Sequence, residues 1–235
     1  MSDRELPKYI EMVVSEYRIN SEKSLKVGTG NNIELFRTLL QPHFLFNSLN
    51  NLYTLSVNSS DKTTNAIANL SDLLRKIVIY SRCELISLED EIQLVRNYIE
   101  LEKCWLGEGF FMMDLQIKGD TFSIFIPPLI LYTLVENAFK HGIRKCPQFP
   151  RWITVNILIK RGRIYCKIRN SCRPETDSDL PVTATGAGIG LEAVYEMLNS
   201  TYKGKYLLES KRVDNVYCVD LLIENASVSE DHSVA

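Results

Sequence analysis

Three stretches of the chain hold residue types that can do chemistry. The first is QPHFLFNSLN, residues 41–50, where His43 stands between Pro42 and Phe44 in an apolar run. A neutral imidazole is a nucleophile, a base and a hydrogen-bonding group. His43 is therefore either a satisfied structural side chain or one held out to react. At helical spacing Asn47, Asn50, Asn51 and Thr54 continue from it as a polar stripe, which places it on the solvent side of an otherwise apolar helix. Pro42 reads in two ways. It breaks a turn and frees a carbonyl beside the histidine, or it is the first residue of a helix, where its missing N–H costs nothing.

The second stretch is ENAFKHG, Glu136 to Gly142. On one helix Glu136, Asn137, Lys140 and His141 fall in neighbouring sectors of one side, while Leu131, Leu134, Val135, Ala138 and Phe139 form the other. Carboxylate and amide oxygens are hard ligands for magnesium, and a lysine beside them suits phosphate oxygens. The plain alternative is a solvated helix face with a Glu–Lys pair. The third stretch is GAGIGL, Gly186 to Leu191. Closely spaced glycines let backbone N–H groups approach an anion at the start of a helix. No Gly-Lys-Ser/Thr follows, so it is not a P-loop, and it does not open a βαβ unit, so it is not a dinucleotide fingerprint.

The elements that must position these residues are also readable. Residues 1–30 form a helical lead-in closing in a turn-rich stretch. Helical periodicity then covers about 33–57 (Leu35, Phe36, Leu39, Phe46, Leu49, Tyr53), about 62–82 (Ile67, Leu70, Leu73, Leu74, Ile77) and about 88–105 (Ile92, Val95, Ile99). Ser87 stands at an N-cap position, with Glu89, Asp90 and Glu91 in the first turn, where carboxylates suit the positive end of the helix dipole. From Phe110 the pattern becomes mixed. FFMMDLQI is a strand, LILYTLVENAFKHG is a helix ending at Gly142, and residues 152–170 form a hairpin with Gly162 in its turn. Residues 171–185 lack periodicity, as lids often do. KYLLES and VYCVDLLI are further strands, and the final residues read as disordered.

Composition sets bounds. The 235 residues are 45% hydrophobic with a net charge of −2, which suits a globular protein with a real core and argues against bulk nucleic-acid binding. No run is long and apolar enough to span a membrane, and the N-terminus lacks the pattern of a secretory signal. The six cysteines have no CxxC pair and no zinc spacing, so they read as small buried hydrophobes in a reducing cytoplasm.

The order of these motifs resembles a known family. LQPHFLFNSLNNL, IPPLILYTLVENAFKHGI and GAGIGLEAVYEML are similar to the H, N and G boxes of LytS/YehU-type sensor histidine kinases, members of the GHKL ATPase superfamily. SLEDEIQLVRNYIELEKCW resembles that family's connecting helix, and the likeness spans about 35–223. It implies an α+β protein: a lead-in (1–30), a helical dimerisation and phosphoacceptor region (31–85), a GHKL-like α/β sandwich that binds ATP (86–224) and a disordered tail (225–235). By the resemblance His43 is the phosphoacceptor, Asn137 binds Mg²⁺, and Glu136 supports that site. Lys140 and His141 contact phosphate, and Gly186, Gly188 and Gly190 edge the ATP lid. The partners implied are a second copy, completing a four-helix bundle, and a response regulator.

Two positions depart from the pattern. Asn170 stands where GHKL proteins carry an adenine-binding Asp, and Phe44 stands where other histidine kinases carry an acidic base, which leaves Glu136 or a water for that task. Asn170 implies weaker ATP binding, and it motivates the alternative of a catalytically silent dimeric scaffold. Some 40 residues precede His43 without a membrane span, which fits either a soluble kinase receiving its signal through residues 1–30 or a fragment of a membrane-bound sensor.

Overall fold

Alternation puts Ile153, Val155 and Ile157 on one face of a strand and Ile164, Cys166 and Ile168 on the same face of the next. The computed structural model pairs them antiparallel as β4 (Trp152–Lys160) and β5 (Arg163–Ser171). The turn residues Arg161 and Gly162 have φ of 54° and 70°, the two-residue hairpin geometry whose twist matches its strands. The structure describes residues 42–57, 62–107, 109–146, 150–172, 189–224 and 227–228.

β2 (Met112–Lys118) lies parallel to β4, while β7 (Val216–Ile223) and β6 (Tyr206–Val213) continue antiparallel beyond β5. The sheet order is β2-β4-β5-β7-β6. One face is buried. The other carries exposed Asn156, Leu158 and Lys167. The buried row of β5 runs on from Ile168 to Asn170, so the last core-facing position is polar.

A second, small sheet has β3 (Ile124–Ile126) between β1 (Ile86–Ser87) and β8 (Ser227–Val228). Of the tail expected to be disordered (225–235), two residues form a strand: Ser227 pairs with Phe125 and Val228 with Ile124, and the rest lies outside the described residues. Backbone hydrogen bonds to a short strand need no apolar pattern, so the polar tail gave no sign of it.

The helices are α1 (Pro42–Val57), α2 (Lys62–Tyr80), α3 (Leu88–Leu106), α4 (Ile130–Asn137) and α5 (Ile189–Tyr202). α3 begins as its sequence predicts, with the Asp90 N–H donating to Ser87 Oγ at 3.0 Å. It ends at Gly107, whose φ of 89° few other residues tolerate. Ala66, Leu70, Leu73 and Ile77 of α2 pack into the core that α3, α4, α5 and the sheet share. Residue 85 is therefore not a break in packing. Leu49 and Tyr53 of α1 are exposed, as is Ile67 of α2, in the helical region expected to meet a second copy. Cys146, Cys166, Cys172 and Cys218 are buried, as expected, while Cys83 and Cys104 are partly so. No described helix is long and apolar enough to cross a membrane.

Candidate functional site

The site is organised around α4 and its continuation. Residues Ile130–Val135 are buried, and α4 then widens into a π-helical turn, Ala138–Ile143, in which the Arg144 N–H donates to Phe139 O at 3.0 Å. The predicted helix to Gly142 is thus α-helical only to Asn137. π turns cost hydrogen-bond geometry and gather at functional sites. Glu136 and Asn137 are half-buried, and Lys140 and His141 are exposed, so the polar side read from the sequence is the side that faces outward.

Two glycines let neighbouring elements close on this helix. A Cβ on Gly142 would fall 1.9 Å from Asn170 Nδ2 and 3.1 Å from Ser171 O, so only glycine allows the π turn to lie against the end of β5. A Cβ on Gly190, in the first turn of α5, would fall 3.3 Å from Thr133 Cγ2 and 3.6 Å from Asn137 Nδ2. Gly142 therefore meets Asn170, and Gly190 meets Asn137, at successive turns of one helical segment. His43 lies on α1. Gly186, Gly188 and most of the expected lid lie outside the described residues.

Asn170 is fully buried. Its Nδ2 donates to Ser171 O at 3.0 Å, while Oδ1 has no partner. An unpaired buried acceptor costs about 1–3 kcal/mol, so this oxygen suits an incoming N–H donor. Burial raises the Glu136 carboxyl, opposed by Lys140, reinforced by Glu102 and opposed again by Arg144. Burial, with Lys145 and Lys140 adding to it, brings His141 down to about 4, so its imidazole is neutral near pH 7. Among the described residues no group of three or more His, Cys, Asp and Glu could hold a metal ion. A cation here would rest on the Asn137 amide oxygen, supported by Glu136, with its remaining positions filled by water and substrate oxygens, as magnesium prefers.

Sequence reasoning missed Glu102, Arg144 and Thr133, and it read Glu91 only as a first-turn carboxylate facing the helix dipole, whereas the structure buries it. Glu91 and Glu102 lie fully inside, on the apolar face of α3. A carboxylate in line with Leu88, Ile92 and Val95, or with Tyr98 and Leu101, was the available signal.

A mixed sheet shares its core with an Asn-bearing helix, on which the first turn of a glycine-led helix closes, so the architecture is an α/β sandwich. A family profile described as Histidine kinase matches residues 31–110. The Sensor protein LytS of Bacillus subtilis (strain 168) is 30% identical over 149 residues, covering 63% of this chain and 25% of that protein. The Sensor protein LytS of Staphylococcus haemolyticus (strain JCSC1435) is 27% identical over 206 residues, covering 85% of this chain and 35% of that protein. The match to the histidine kinase profile is confined to residues 31–110 of this chain. The chain spans about a quarter to a third of the length of these two relatives. Among solved structures, the histidine kinase domain of the Erythrobacter litoralis EL346 blue-light activated kinase has a TM-score of 0.44 at 12% identity, covering 82% of this chain and 92% of that one.

Proposed function

We propose that this chain is the kinase portion of a two-component sensor, which phosphorylates His43 from Mg-ATP and passes the phosphoryl group to a response-regulator aspartate. The observation that carries the reading is the approach of Gly190 to Asn137, since it brings the lid helix onto the proposed metal-binding amide. ATP supplies the transferable phosphoryl group. The chain's own residues position it and offset its charge, which is most of what phosphoryl transfer requires. Asn137 holds Mg²⁺. Lys140 supplies a cation to the phosphates, and His141, neutral, supplies a hydrogen bond rather than a charge. Asn170 Oδ1 accepts from the adenine amino group, and Gly186, Gly188 and Gly190 edge the lid.

A neutral His43 nitrogen forms the N–P bond as the bond to the ADP oxygen breaks, and the imidazole proton leaves to water or to Glu136. The raised Glu136 carboxyl suits that second route. Exposed Leu49, Tyr53, Val57, Ile67 and Ile79 support a homodimer through α1 and α2. The activity implies a cytoplasmic location, where ATP and regulators are found.

The test is incubation with γ-labelled ATP and Mg²⁺ beside His43→Gln and Asn137→Ala. Acid-labile, alkali-stable label on the wild type alone is the expected result. A folded, nucleotide-binding protein that takes no label is the silent scaffold. Label surviving in His43→Gln means a different nucleophile.

A further inference from the structure

α3 carries two buried carboxylates that the proposed chemistry does not use. Glu91 is 0% exposed and Glu102 is 1% exposed. A buried carboxylate is costly unless it is fully bonded, and both are bonded to one segment. Glu91 Oε2 accepts from the Leu129 N–H at 2.8 Å, and Oε1 accepts from the Tyr132 N–H at 3.0 Å. These are the unsatisfied donors at the start of α4. That helix has no side-chain cap of its own, and its N-cap residue Leu129 holds a φ of 71°. Glu102 lies three helical turns further along α3. It accepts from Tyr98 Oη at 2.6 Å, and Arg144 Nη2 donates to its two oxygens at 2.9 and 2.8 Å. Arg144 is the residue that closes the π turn, and its guanidinium lies 5.8 Å from the Trp105 ring centre. One rigid helix therefore grips both ends of residues 129–144, the segment that presents Glu136, Asn137, Lys140 and His141.

The opposite contacts of α3 go to α2. Asn97 Nδ2 donates to Asp72 at 2.8 Å, and Tyr80 Oη donates to Asp90 at 3.1 Å. α3 thus joins the helical hairpin to the segment bearing the candidate site.

We propose that Glu91 and Glu102 are positioning residues: they fix the height and rotation of residues 129–144, so that Asn137 stands opposite Gly190 and Gly142 lies against Asn170. This rests on reading the site as an ATP site. A 1 Å displacement of a positioned group is enough to cost orders of magnitude in rate. A purely structural pair of carboxylates would lower stability without changing the affinity of the molecules that remain folded.

The experiment uses the full chain with Glu102→Gln, Arg144→Met and Arg144→Lys. Thermal melts define a temperature at which each is folded, and binding of a fluorescent ATP analogue is titrated there, independently of labelling. Positioning predicts that Glu102→Gln and Arg144→Met bind about tenfold more weakly, and that Arg144→Lys, which keeps the charge, recovers part of the loss. If either neutral variant does not fold, the comparison of Arg144→Lys with wild type decides. Wild-type affinity in folded variants with lowered melting temperatures overturns the proposal. Failure of the wild type itself to bind the analogue overturns the parent reading, and this one with it.

Discussion

α1 and α3 are helices of 16 and 19 residues, both rich in apolar side chains, and they treat those side chains in opposite ways. α3 buries Leu88, Ile92, Leu94, Val95, Tyr98, Ile99 and Leu101, and two carboxylates with them. Tyr98 stacks edge-on against Tyr132 and Phe139, with ring centres 5.3 and 5.6 Å apart. α1 leaves Leu49, Tyr53 and Val57, spaced four residues apart, at 38%, 45% and 62% exposure. The difference is one of completeness. α3 finds cover for its apolar face and partners for both buried carboxylates within one chain, whereas the exposed stripe of α1 has the spacing of a helix seam that a second helix would cover.

The sharpest way to break that comparison is to shorten one side chain from each kind of surface. Leu73, 0% exposed between α2 and α3, should lose about 2–5 kcal/mol on replacement by Ala. Val57→Ala should cost less than about 0.5 kcal/mol in dilute protein, yet shift the monomer–dimer midpoint to higher concentration. Denaturant unfolding and sedimentation at several concentrations read both. An equal, concentration-independent loss in the two variants would mean that α1 is finished within the chain.

A second prediction concerns the carboxylates that mark α3 as complete. Burial raises Glu91 from 4.5 to about 7, against the pull of the Tyr132, Leu129 and Leu131 N–H groups. An acid whose folded value is raised contributes stability that is fully present below its unfolded value and is lost as pH rises through its folded one. The wild type should therefore shed on the order of 3 kcal/mol through this group between about pH 4.5 and 7. Unfolding midpoints of Glu91→Gln should be flatter over that window. A slope that the substitution leaves unchanged would place the titration elsewhere.

Smaller still is the expected effect at Asn170. Asn170→Ala removes the unpaired Oδ1 and the bond to Ser171 O while leaving the sheet register intact. ATP affinity should fall about five- to thirtyfold, the worth of one or two hydrogen bonds. Isothermal titration reads it directly, and unchanged affinity would show that the nucleotide does not use this oxygen.

These outcomes also bear on how far the sequence alone reaches. The hairpin was legible because period-two alternation admits no helix, whereas Asn170 was legible only through the resemblance, at the place of an adenine-binding Asp. The Ser87 cap was legible because its donor is local, at Asp90. The π turn was not, since six residues of period 3.6 and of a wider turn look alike. Nor were the roles of Glu91 and Glu102, whose partners lie some forty residues away, at Leu129, Tyr132 and Arg144. The exposed Leu49 and Tyr53 of α1 show the same limit. An apolar stripe shows that something covers it but not whether the cover belongs to the same chain.

His141 supplies the smallest test, and its sign is opposite to that of Glu91. Burial and the neighbouring lysines depress it from 6.5 to about 4. A depressed base contributes stability that is present above its unfolded value and lost as pH falls through its folded one. Between pH 6.5 and 4 the wild type should lose stability through His141 while gaining it through Glu91. His141 is exposed on one side, so solvent screens its share, and Glu91, fully buried, should dominate the net profile. His141→Gln should therefore steepen the rise in stability on acidification only slightly. It should also leave the pH dependence of ATP binding between 6 and 8 unchanged, because the imidazole is already neutral there. A new limb in that range for the wild type, absent in His141→Gln, would mean that the ring is charged when nucleotide binds and that it meets phosphate as a cation.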